Sequence, residues 1–162
     1  MRLRLATLDD LQFLRCLQHG LWGTGQPRGI KNWLEGDMLA LIVKKRITGL
    51  AQVTGKPFFS EKEVWDNGLF PNRIRIKFLH VMEVSHRLPI EGPVRDALTA
   101  SWGRYYGWGI LNKQLLSEKA AGEIVKQIVA EPNDLELFQR ELRQRIKKAK
   151  LEWKDPLDIG NP

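Results

Sequence analysis

The stretch RIRIKFLHVMEV, residues 73–84, limits what this chain can become more than any other. Ile74, Ile76 and Phe78 fall on one side of it, and Arg73, Arg75 and Lys77 on the other. A period of two marks a β-strand with one face buried. Leu79, Val81 and Val84 then break the parity, which places a bulge or bend near Phe78–Leu79. Such a strand needs neighbours. RLRLAT (2–7) alternates in the same way, and DMLALIVKK (37–45) with RITGLAQVTG (46–55) reads as a hairpin turning near Lys44–Arg46, without the usual Asn-Gly.

Helical periods separate these strands. LDDLQFLRCLQH (8–19) repeats Leu11, Leu14 and Leu17 at helical spacing, with Thr7 or Asp9 as its cap and Gly20 as its stop. GPVRDALTASW (92–102), with Pro93 in the first turn, and SEKAAGEIVKQIVA (117–130), capped by Ser117, also read as helices. A last helix over 134–152 carries the stripe Leu135, Phe138, Leu142, Ile146, Ala149 and Trp153, which must cover either the domain or a partner. The connection 56–72 is long, with one helical turn expected at Ser60–Trp65, and the tail KDPLDIGNP reads as a linker. Together these elements predict an α+β fold, a small twisted β-barrel flanked by helices. The domain is expected over 1–132, with an amphipathic helix and tail over 133–162.

Composition narrows the function. The hydrophobic fraction of 43% supports an ordinary core, and no apolar run reaches membrane-spanning length. MRLRLATLDD has no signal-peptide core, and the single Cys16 can form neither an intrachain disulfide nor, alone, a thiolate zinc cluster, so a reducing, cytoplasmic setting is expected. Twenty-six Lys and Arg against 19 Asp and Glu leave a charge of +7, which suits a polyanionic partner as well as plain solubility. Six tryptophans among those basic residues favour nucleic acid, because bases stack on aromatic rings. His19, His80 and His86 are scattered, and His80 inside a strand reads as structural. GTGQPRG lacks the Lys-Ser/Thr ending of a phosphate loop and follows a helix, not a strand. No cofactor, metal site or enzyme chemistry is expected.

GLWGTGQPRGIKNW (20–33) holds four glycines, a proline and two tryptophans, the composition of a loop. Trp22 between glycines suits a ligand-facing ring, with Gly23 and Gly25 letting a flat base approach the backbone; Trp33 reads rather as core, and Trp102 and Trp108 as packing. The order of features resembles EVE domains and their YTH relatives in the PUA-like superfamily. The resemblance rests on Leu21-Trp22-Gly23 after a helix, Gly36-Asp37 opening a strand, Gly49 to Thr54, then Trp102, Tyr106-Gly107 and the helix 117–130; GLWGT also looks like the G-x-W-S-T of YTH domains. It spans roughly residues 2–130. It implies a binding module in which Trp22, followed by Gly23 and Thr24, forms one wall of an aromatic cage for N6-methyladenine. Trp65 would be a second wall, unless it is core, and Phe70 or Phe59 a third, with Gln12 or Asp9 at the base edge. Arg28, Lys31, Arg73, Arg75, Lys77 and Arg104 would follow phosphates, or else form a solvated face. The resemblance extends to N-terminal targeting modules of McrBC-type restriction systems. That implies methylated DNA ahead of RNA, with a motor and nuclease in the same or a partner chain; a stand-alone RNA-binding EVE protein is the alternative. RLRLATLDDLQFL also resembles the opening of GNAT-type acetyltransferases, whose coenzyme A loop would follow the fourth strand and lead into a helix.

Overall fold

A computed structural model of the chain describes residues 1–149. The strands are β1 (Leu3–Thr7), β2 (Leu21–Thr24), β3 (Met38–Val43), β4 (Arg46–Val53), β5 (Phe58–Phe59), β6 (Asn72–Val81) and β7 (Leu88–Pro89). The helices are α1 (Asp10–His19), α2 (Gly92–Trp102), α3 (Gly107–Leu111), α4 (Glu118–Val129) and α5 (Leu135–Lys148). The main sheet runs β1-β3-β4-β6-β2, with β5 on β6 and β7 on β4. It curls without β1 meeting β2, so the expected barrel is an open half-barrel.

β1 and β3 pair in parallel, which requires a long crossover; α1, β2 and the segment behind it supply one. β3 and β4 form the expected hairpin. Lys44 and Lys45 both take left-handed backbone, with φ 51° and 63°, the mirror-image turn that suits strand twist even without Asn-Gly. The bulge also lies where the parity breaks. Leu50 faces His80 and Ala51 faces Phe78, leaving Leu79 as the extra residue. The Asn133 side chain closes it, donating to the Leu79 carbonyl and accepting from the Val81 N–H.

The sheet is covered on both faces, and β3 is therefore apolar throughout rather than alternating. Leu39, Leu41 and Val43 join a cluster with Phe13, Cys16 and Leu17 of α1. Ala40 and Ile42 join the opposite cluster, with Val94 and Leu98 of α2 and Ala121, Ile124 and Ile128 of α4. The stripe of α5 finds its cover on this domain, because Leu135, Phe138 and Leu142 pack on the α1-side cluster. Trp153 and the tail lie outside the described residues.

Three expectations change. Residues 21–24 form a strand antiparallel to β6, not part of a loop. No helical turn forms at 60–65; the connection starts with β5, whose Phe58 and Phe59 pair with Arg73 and Asn72. β4 runs on to β5 rather than through a glycine loop into a helix, so the acetyltransferase order is not met.

Candidate functional site

The Asp9 side chain caps α1 by accepting from the Gln12 N–H at 2.7 Å, while Gln12 Oε1 accepts from the Asp9 N–H at 2.8 Å. Asn67 links this cap to the connection 60–71, donating to Asp9 at 3.3 Å and accepting from Gln12 Nε2 at 3.4 Å. Gly20 ends α1 in the left-handed conformation, and β2 begins at once.

Pairing of Trp22 with Ile74 in β2–β6 fixes the direction of the indole. It stacks on Trp33 with centroids 4.9 Å apart and planes at 18°, and the Arg4 guanidinium lies 5.0 Å over Trp33. Arg4 and Arg2 both hold Asp37, each at 2.7 Å. Burial pushes the Asp37 carboxyl up, but hydrogen bonds from Arg2, the Leu34 N–H and Arg4 outweigh it and hold the group below the usual carboxylate range. Asp37, just before β3, thus anchors Arg2 and Arg4, the second of which lies over Trp33.

Across from this stack stands Trp65, edge-to-face with Phe70 at 5.7 Å and 85°. Gly23 makes that position possible. A Cβ there would come within 2.7 Å of both the Phe70 carbonyl oxygen and the Trp65 ring. The glycine therefore admits Trp65, not an incoming base, whereas Gly25 borders open space. Phe70 itself has φ 43°, a strained conformation for an aromatic residue.

Between the two sets of rings lies a cavity of about 150 Å³. Trp22, Trp65 and Phe70 wall it, Thr7, Gln12, Thr24 and Lys113 supply polar groups, and Leu8, Cys16 and Gly23 complete the lining. Apolar cavities on the order of 150 Å³ admit a benzene-sized ring. Burial pushes the Cys16 thiol up to about 12, against a weaker opposing hydrogen bond with Trp65, so the group is a neutral wall rather than a thiolate.

The structure brings together Trp22, Gly23, Thr24, Trp65, Phe70 and Gln12. Phe59 is 63% exposed on β5, outside the cavity, so Phe70 is the third wall. Asp9 is also outside it, its carboxylate used by the cap and Asn67. Arg73 is the clearest correction among the basic residues. The strand pattern places it on a phosphate-facing side, yet it is 1% exposed and donates to the carbonyls of Lys62, Leu69 and Phe70. Its guanidinium also lies 5.2 Å over Trp65, so it builds the wall of the cavity. Arg75 is half-buried over Phe58, while Arg28, Lys31, Lys77 and Arg104 are exposed. Trp102 packs, covering Gly109 and donating to the Leu115 carbonyl, but Trp108 is 65% exposed. Sequence reasoning missed Lys113, which nothing in its neighbours LNKQL marks.

Among the described residues, Glu83, His86 and Asp134 group closely enough to hold a metal ion. Asp134 already accepts from the Glu83 N–H at 2.9 Å and pairs with His86 at 3.0 Å, which accounts for the group as a tie between the turn after β6 and the residue that opens α5.

No family model and no curated protein matches the sequence. Solved structures do match. The YTH domain of Mmi1 shares 12% identity at a TM-score of 0.59, over 80% of this chain and 88% of that one. The YTH domain of Zygosaccharomyces rouxii MRB1, solved in complex with N6-methyladenosine RNA, shares 12% at 0.53, over 78% and 86%. The Toxoplasma CPSF4-YTH domain in apo form shares 15% at 0.51, over 82% and 88%. The chain has a YTH-like fold.

Proposed function

We propose that this chain is a nucleic-acid reader that captures one extruded base, N6-methyladenine, in the cavity between Trp22, Trp65 and Phe70. The observation that carries the reading is the convergence of three aromatic rings, from β2 and from the connection before β6, on one ring-sized space. A base can enter such a space only out of its stack, so the substrate is a single strand or a flipped nucleotide. The charge of +7 and the exposed Arg28, Lys31, Lys77 and Arg104 suit the phosphates on either side. YTH neighbours solved with RNA, including one with N6-methyladenosine RNA, support the base and favour a ribose strand. The sequence resemblance to restriction-system targeting modules favours deoxyribose, with a motor and nuclease as partners.

The test is a titration with matched single-stranded RNA and DNA oligonucleotides carrying N6-methyladenine, 5-methylcytosine or no modification. Burying a methyl gives on the order of 0.8 kcal/mol, and a shaped pocket extracts up to about 3 kcal/mol from such a group. Preference for the methylated adenine should run from a few-fold to about a hundredfold. Equal affinity for methylated and plain adenine rejects the reading; a clear preference for 5-methylcytosine keeps the flipped base and replaces the ligand.

A further inference from the structure

We propose that Lys113 determines the specificity of this cavity, its ammonium donating to a ring-nitrogen acceptor of the captured base. The inference rests on the base-capture reading above. Lys113 follows α3, with φ 51° and its N–H bonded to the Ile110 carbonyl, and its chain reaches the cavity. The Nζ stands 5.6 Å over the centroid of Trp22. Trp33 occupies one face of that indole, so a base can stack only on the other.

Among the residues that line the cavity, Lys113 alone carries a charge. The buried Arg4 has Asp37, Arg87 has Asp10, and Arg73 has its three carbonyls. Among the described residues no carboxylate pairs with Lys113; its ammonium donates to the Leu111 carbonyl at 3.3 Å. Burial lowers its pKa, so the Trp22 ring face and the Leu111 carbonyl offset only part of the cost of holding the charge here. An ammonium has three donor hydrogens and no acceptor, and one is used. Gln12 points to the same complement. Its oxygen is taken by the Asp9 N–H and one amide hydrogen by Asn67, which leaves a donor. Thr24 Oγ1 already accepts from the Gln26 N–H. Lys113 and Gln12 thus both offer spare hydrogens, and an occupant must meet them with acceptors. Adenine carries three such ring nitrogens, N1, N3 and N7, and methylation at N6 leaves all of them free.

The experiment titrates wild type, Lys113→Met and Lys113→Arg with a single strand bearing one N6-methyladenine. The same strand is also prepared with the 1-deaza, 3-deaza or 7-deaza analogue, and without the methyl group. The expected result is that one deaza analogue binds wild type at least about tenfold more weakly, the loss that goes with one charge-assisted hydrogen bond. Lys113→Met should lose as much on the parent strand and nothing further on that analogue, while Lys113→Arg keeps part of the discrimination. Three results overturn the proposal. All deaza analogues bind wild type like the parent, a measurement that needs no variant. Lys113→Met weakens methylated and plain strands equally while flattening the log–log salt slope by about 0.7, the mark of a phosphate contact. Lys113→Met binds more tightly, which makes the side chain a plug. If wild type shows no preference for the methylated strand, base capture itself fails, and the assignment of Lys113 falls with it.

Discussion

Two segments of this chain share three glycines and a tryptophan but meet opposite fates. GLWGTG (20–25) and GRYYGWG (103–109) both set tryptophan among glycines. In the first, pairing with β6 turns the segment into a strand and leaves Trp22 6% exposed, stacked on Trp33. In the second, the chain makes the short helix α3, and Trp108 and Tyr105 stand 65% and 68% exposed. Composition identifies residues able to stack on a base; the pairing partner decides whether they build a walled cavity or an open surface.

The largest effect that separates the two segments is on stability. Trp22→Ala removes a stacked core ring and should cost about 3–5 kcal/mol, whereas Trp108→Ala should stay within about 0.5 kcal/mol. Thermal melts of the pair break the comparison if the two variants shift alike.

Asp37 supports the first segment alone, through Arg4 and Trp33. Asp37→Asn leaves buried Arg4 without its counter-charge and should cost about 3 kcal/mol at neutral pH. The folded pKa of Asp37 lies below the unfolded value. Its contribution is therefore complete above the unfolded value of about 3.9 and is lost as pH falls through the folded one. Denaturant midpoints between pH 7 and pH 3 should fall more steeply for wild type than for Asp37→Asn; parallel curves would show that Asp37 is not the group responsible.

Gly23→Ala should cost about 1–3 kcal/mol and displace Trp65, because the new Cβ meets a backbone carbonyl and a fixed ring. Gly25→Ala meets open space and should be close to neutral. Similar melting temperatures for the two would dissolve the argument that Gly23 exists to admit Trp65.

The smallest effects belong to the exposed cations. Replacing Lys31 or Arg104 by Gln should flatten the log–log salt dependence of single-strand binding by about 0.7 for each phosphate no longer neutralised, weakening methylated and plain strands equally. An unchanged slope returns that residue to the solvated surface.

What the sequence discloses follows the strength of local periodicity. β6 with its bulge, the β3–β4 hairpin, α1 with its cap and α4 all carry runs long enough to read. β2 has four residues, one of them glycine, and its strand character comes from β6 rather than from itself. The single helical turn expected at Ser60–Trp65 fails for a similar reason. Arg73 draws the carbonyls of Lys62, Leu69 and Phe70 onto its guanidinium, and that non-local tie holds the connection open. The same tie buries an arginine that alternation alone would expose. Of the cavity, Trp22 is legible from its place between glycines, while Trp65, and Phe70 as an alternative to Phe59, enter only through the resemblance to YTH domains. Lys113 is not legible, because its position depends on the backbone turn after α3 and on no repeat or spacing.

Under the proposed reading the base enters the cavity and does not stack on the open surface. Tryptophan indole resonances, assigned by single Trp→Phe variants and followed by NMR during titration with a single-stranded oligonucleotide bearing N6-methyladenine, test it most directly. Base capture should produce ring-current shifts at Trp22 and Trp65, larger than with the unmethylated strand, and little change at Trp108. Shifts at Trp108 that exceed those at Trp22 and Trp65 would contradict it.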